Sequence, residues 1–116
     1  MTGETITSLA PRVASGELRA ERLTEEALAT IAKLQSSLNA FITVTADEAL
    51  ADARHADQEI AGGRYRGPLH GIPISLKDLI DIAGVPTTAG SRLREGRLAL
   101  TDAPVVRHLK LSLIHI

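Results

Sequence analysis

Residues 67–91 read GPLHGIPISLKDLIDIAGVPTTAGS, and the fold turns on this stretch. Gly67, Pro68, Gly71 and Pro73 lead into a short apolar run, 72–76, that stops abruptly at Lys77-Asp78. Ala83-Gly84-Val85-Pro86 and Thr87-Thr88-Ala89-Gly90-Ser91 form a second punctuated segment. Glycine and proline at this density mark a backbone that turns tightly or approaches another group closely. The apolar run predicts a strand over 72–76, buried on both faces as in helix-covered parallel sheets. Ligand chemistry in open α/β sheets sits beyond the carboxyl ends of the strands. Lys77 is therefore an amine placed where a site would be. Residues 79–82 read as a further short strand or as a turn.

Working outward, the first 62 residues read as helices around one short strand. Ile6, Leu9, Ala10 and Val13 recur at i, i+3, i+4 and i+7 before Ser15-Gly16 stops the pattern. A second helix carries Ala27, Ile31, Leu34 and Leu38 on one face, with Glu21, Glu25 and Lys33 opposite. Phe, Ile, Thr and Val over 41–45 predict a strand. Thr45-Ala46-Asp47-Glu48 has the form of a capping box. Ala49, Leu50, Ala53 and Ile60 continue that helix to Gly62-Gly63, and its small face suits close packing. Downstream, Asp102 is placed to cap a helix with Pro104 in its first turn and Val105, Val106 and Leu109 as its apolar stripe.

Gly-Pro-Leu-His-Gly-Ile-Pro-Ile-Ser-Leu-Lys-Asp, followed by Gly-Val-Pro-Thr-Thr-Ala-Gly-Ser, resembles the amidase signature family. The likeness extends to Leu38-Asn39-Ala40-Phe41-Ile42-Thr43-Val44 and to Asp102-Ala103-Pro104-Val105-Val106, so it covers most of the chain from about Ala20 to Lys110. The resemblance implies an α/β fold: an N-terminal helical segment plus the first strands of a mixed, helix-covered sheet, which is incomplete here. It also implies hydrolysis of carboxylic amides by a Ser–cis-Ser–Lys triad, with Lys77 aligned to the catalytic lysine. No cofactor belongs to that scheme. Its partners would be a small-molecule amide and, in a full-length protein, a second copy or amidotransferase subunits.

A lysine amine of ordinary pKa, about 10.4, is protonated at neutral pH and cannot accept a proton. Desolvation or neighbouring cations must disfavour its charged form, and the run 72–76 makes burial of Lys77 an expectation. In the implied mechanism the neutral amine deprotonates a bridging serine. That serine activates a nucleophilic serine, and backbone N–H groups hold the oxyanion. The two serines belong to a Gly/Ser-rich segment that these residues do not include. Ser75 and Ser91 are read instead as a small packing residue and a turn residue. Asp78, whose charge would oppose a neutral lysine, is read as a hydrogen-bonding partner of the turn, and His70 as a loop stabiliser.

Composition narrows the alternatives. The chain has 116 residues, 44% of them apolar, but only one Phe, one Tyr and no Trp, so its core must be aliphatic. Net charge is −1 with no basic run, which gives no footprint for direct nucleic-acid binding. There is no cysteine for disulfides or thiolate metal sites. His55, His70, His108 and His115 are scattered without metal-ligand spacing. The N-terminus lacks signal-peptide features and no apolar run reaches membrane-spanning length, so a cytoplasmic protein is expected.

Two alternatives to a general amidase stand. One is the glutaminase subunit of a tRNA-dependent amidotransferase, which more often has Asn where this chain has Leu79. The other is a non-catalytic interaction domain. The reading divides the chain into a helical lead (1–24), the start of a catalytic domain (25–110) and a non-native tail (111–116). Leu-Ser-Leu-Ile-His-Ile is what the codons CTG-TCT-CTT-ATA-CAC-ATC would encode, a string that resembles a transposase end used in preparing sequencing libraries. Alternatively, Leu113 and Ile116 extend the helical face of Leu109.

Overall fold

The computed structural model describes residues 3–111 and 113–115. Helix α1 (Ile6–Ala14) starts at Thr5, where a reciprocal box forms: Ser8 N–H donates to Thr5 Oγ1 and Thr5 N–H donates to Ser8 Oγ. It buries Leu9, Ala10 and Val13 of the expected face, leaves Ile6 exposed in its first turn, and ends at Ser15-Gly16.

Helix α2 (Ala20–Leu38) buries Ala20, Leu23, Thr24 and Ala27, again at i, i+3, i+4 and i+7. The expected stripe lay further along. Its last members, Leu34 and Leu38, are 40% and 64% exposed, because α3 and β1 pack on the first half of the helix. No side chain of Arg19 caps α2. Asp57 does so from α3: Ala20 N–H donates to Oδ1 at 2.7 Å and Glu21 N–H to Oδ2 at 3.1 Å.

Helix α3 (Ala46–Ala61) presents Ala49, Ala53 and Ala56 to Ala20 of α2, so the small face does bring two helices close. Thr45 is its N-cap, but the expected capping box does not form. The Thr45 hydroxyl is buried without a partner among the described residues. The strand expected over 41–45 is likewise absent among the described residues. Phe41 instead pairs with the side-chain amide of Gln35, donating to Oε1 at 3.1 Å and accepting from Nε2 at 2.6 Å. That amide satisfies the groups a neighbouring strand would have bonded.

Strand β1 (Ile72–Ile74) is shorter than the expected 72–76. Gly71 leads into it with φ +79°, and a Cβ there would lie 2.9 Å from Ala20 Cβ, so only glycine fits this approach to α2. Ile72 joins Leu9, Val13 and Leu23 in the core, while Pro73 and Ile74 are half-buried. Residues 79–82 form a turn, with Leu79 and Ile80 N–H groups both donating to Lys77 C=O. Beyond it, residues 83–99 fold back through two isolated bridges, parallel at Ala83–Ala99 and antiparallel at Pro86–Leu98. Arg97 grips Asp81 with two nitrogens at 3.0 and 3.4 Å.

Helix α4 (Pro104–Lys110) has Pro104 in its first turn, as expected, and buries Val106. Its N-cap is Ala103, not Asp102. The Asp102 carboxylate accepts Ala83 N–H at 2.8 Å and pairs with Lys110 at 2.8 Å, tying both ends of α4 to the 83 turn. Leu111 closes the helix, so it does not continue toward Ile116, which lies outside the described residues. Strand β2 (Leu113–His115) instead pairs parallel with β1, Ile72 opposite Leu113.

Candidate active site

The chain leaves β1 at Ile74 and runs along one wall of a cleft of about 410 Å³. Ser75, Lys77 and Asp78 line the cleft from this segment, and Phe41, Ile42 and Thr43 line it from another. The Gln35 amide holds Phe41 in place, and so builds the second wall from a segment with no strand beside it among the described residues. Lys77 lines the cleft where the sequence put it, but it is exposed rather than buried. Among the described residues its ammonium makes no hydrogen bond or ion pair. Ser75 is exposed in the same cleft, and Ser91 closes a turn by donating its N–H to Thr88 C=O at 2.9 Å.

Asp78 is the partner of the turn that its position suggested. Thr88 N–H donates to Oδ1 at 3.0 Å and the Thr88 hydroxyl donates to Oδ2, while Ala89 N–H donates to the Asp78 carbonyl at 2.8 Å. These donors, Thr88 foremost, hold the Asp78 carboxyl below the usual carboxylate range, so it is ionised at neutral pH. Asp81 is lowered likewise, chiefly by Arg97.

Beneath the loop that enters β1, His70 is buried (3% exposed) and stacked on Tyr65. Its Nδ1 accepts Arg66 N–H at 3.1 Å, the loop-stabilising role read from sequence. Nε2 lies 3.2 Å from Glu59 Oε2 but outside hydrogen-bond geometry. Desolvation, helped by Arg66, pushes the imidazole below its usual pKa against the opposing pull of Glu59. Arg66 bonds Glu59 and also donates to Leu111 C=O at 2.9 Å, linking α3 to the end of α4. His55 sits 3.7 Å from Glu59, and His108 Nδ1 is 2.9 Å from Pro104 C=O. Among the described residues no three His, Asp or Glu side chains could hold a metal ion. No helix there is long and apolar enough to cross a membrane.

Two features of the site escaped the sequence reading. Phe41 to Thr43 was read as scaffold, yet it forms a wall of the cleft. The link of Thr88 to Asp78 spans ten residues and leaves no periodic trace, although a threonine next to Ala-Gly was a turn signal.

The scaffold is α/β, with an amine just past the end of a strand in a cleft also lined by Val85 and Pro86. The chain belongs to the amidase family, whose model matches residues 22–114. It is 42% identical over 106 residues to the glutamyl-tRNA(Gln) amidotransferase A-type subunit of Streptomyces coelicolor, covering 91% of this chain and 21% of that protein. The corresponding protein of Chloroflexus aurantiacus is 45% identical over 105 residues, 90% of this chain and 22% of the relative. Among solved structures, the native peptide amidase of Stenotrophomonas maltophilia superposes with a TM-score of 0.92 at 37% identity, over 99% of this chain and 24% of that one. A chain from a vestigial protein complex related to an s-triazine catabolic enzyme gives 0.90 at 37%, over 97% and 25%. The chain thus spans about a fifth of the length of these curated relatives and a quarter of the solved chains. It is an amidase-signature segment, and its helices and parallel strand pair are the corresponding part of that α/β fold.

Proposed function

We propose that the protein to which this segment belongs is an amidase that hydrolyses carboxylic amides of non-peptide substrates to acid and ammonia or amine. Lys77 is the general base of a Ser–cis-Ser–Lys triad, and the 116-residue chain alone is inactive because both serines lie elsewhere. The observation that carries the reading is the position of Lys77 in the cleft just past β1, inside the family match. Its exposure here fits a site whose remaining walls come from outside the chain, since an amine becomes a competent base only once desolvated. In this reading the substrate is a small amide, the protein is cytoplasmic, and a full-length protein could pair with itself. Residues 25–110 start the catalytic domain after a helical lead; resequencing past the codon for Lys110 decides between a non-native tail over 111–116 and a native continuation, which the pairing of 113–115 with β1 and the family match to residue 114 support.

Ammonia release from a panel of carboxamides, measured on the full-length enzyme and its Lys77→Ala variant, tests the base. The variant should lose turnover while keeping its melting temperature; retained turnover refutes the assignment. The names of the curated relatives favour a second reading, the glutaminase component of a tRNA-dependent amidotransferase with subunit partners. Transfer of glutamine-derived ammonia to a tRNA-bound glutamate, rather than release from simple amides, would select it.

A further inference from the structure

The loop after the cleft wall is built around one carboxylate. Thr88 gives Asp78 both its N–H and its hydroxyl, and Gly90 N–H donates to that hydroxyl at 3.2 Å, which orients it toward the carboxylate. Ala89 sits at φ +50°, a left-handed conformation that is strained for a non-glycine residue. Such strain persists where the surroundings hold it. Here it turns successive N–H groups inward, as in the backbone nests that cradle anions. Ala89 N–H bonds the Asp78 carbonyl, and the N–H groups of Leu79 and Ile80 bond the Lys77 carbonyl. The Lys77–Asp78 peptide and the Asp78–Leu79 peptide after it are each held through their carbonyls.

This arrangement resolves a conflict in the site. An ionised carboxylate next to a lysine favours the charged amine, the wrong form for a base. We propose that Thr88 is a positioning residue for Lys77: its N–H and hydroxyl draw the Asp78 charge onto the 88–90 loop and anchor the residue next to the amine. The inference rests on Lys77 as the base. It adds a residue that touches neither substrate nor the reacting atoms.

The test uses the full-length enzyme with Thr88→Val, Thr88→Ser, Asp78→Asn and Lys77→Ala, read as kcat, KM and the pH profile of kcat/KM. Thr88→Val should lower kcat about 10- to 100-fold with KM unchanged, the scale of a misplaced catalytic group. It should also move the acid limb of the profile to higher pH. Thr88→Ser should restore both, and adding Asp78→Asn to Thr88→Val should return the limb while kcat stays low. A Thr88→Val enzyme with the parent kcat and limb overturns the proposal, as does a Thr88→Ser enzyme as impaired as Thr88→Val. Should Thr88→Val not fold, Asp78→Asn decides: with the charge already drawn off in the parent, the limb should stay near its parent position, and a limb moved well to lower pH overturns the proposal. Turnover in Lys77→Ala would remove the base assignment itself. An inactive Lys77→Ala beside an unaffected Thr88→Val removes only the role of Thr88.

Discussion

Replacing Asp57 tests how the helical half holds together. Its carboxylate, 13% exposed, accepts the first two N–H groups of α2, from a residue 37 positions away. Ala20 is fully buried, so water cannot replace the lost acceptor at its N–H. A helix N-cap contributes about 1 kcal/mol. Hydrogen bonds to a charged group contribute about 1.5–3 kcal/mol each, but two bonds to one carboxylate share its desolvation cost. Asp57→Ala should therefore cost about 2 kcal/mol, and Asp57→Asn, which keeps one acceptor, about half as much. For a domain of this size that is a fall in Tm of about 8 °C for the alanine variant. Far-ultraviolet circular dichroism during thermal and urea unfolding reads both. Added salt should leave the difference nearly intact. Arg19, 61% exposed and 3.4 Å from the same carboxylate, is screened by it, and Arg19→Gln should change stability by less than about 0.5 kcal/mol. An Asp57→Ala protein within about 0.5 kcal/mol of the parent would refute the capping argument.

Gly71→Ala combines a left-handed φ with a 2.9 Å approach to Ala20 Cβ, and should cost about 2–4 kcal/mol in the same melts. For His70, the folded pKa lies below the unfolded value of about 6.5, so the unfolded chain binds more protons and stability falls as pH drops below about 6.5. Glu59, His55 and Arg66 face the ring; His70→Gln should flatten the fall in Tm between about pH 7 and pH 5, while the share of Asp78, also lowered, is lost only below about pH 4. An unchanged slope in His70→Gln would remove that account. Gln35→Ala should cost about 1 kcal/mol and speed amide hydrogen exchange at Phe41, loosening the second segment that lines the cleft.

What the sequence disclosed follows the range of the interactions. Helix α1 and its stop are written in adjacent residues, and Leu9, Ala10 and Val13 of the face its periodicity names are buried, while Ile6 in the first turn is not. For α2, periodicity names a face but not which half of it other elements cover, and Leu34 and Leu38 at its far end stay exposed. The β-rich composition of 41–45 was legible, yet a strand also needs a partner, and Gln35 supplies a side-chain substitute. Thr45 begins α3 as its pattern suggests, but the reciprocal bonds depend on rotamers that pattern does not encode. Asp102 was read through its nearest helix, whereas its carboxylate serves Ala83, nineteen residues away. For the site, a lysine after an apolar strand was visible at once. Its burial was overestimated, because the strand shortens to 72–74 and the chain turns outward at Lys77. The Thr88 clamp and the Asp57 cap share a cause: contacts made by tertiary folding carry no local signature.

Parallel pairing has a consequence for timing. Antiparallel strands can meet across a tight turn, but β1 pairs with a strand roughly forty residues further on. At about 5–20 residues per second, a ribosome would need about 2–8 s to supply that mate after β1 is made. Helices α1 to α3, complete before β1 is translated, can hold Ile72 through the Gly71 approach during that interval. On that order of synthesis, the helices would cover one face of β1 while its edge stays open for the later strand.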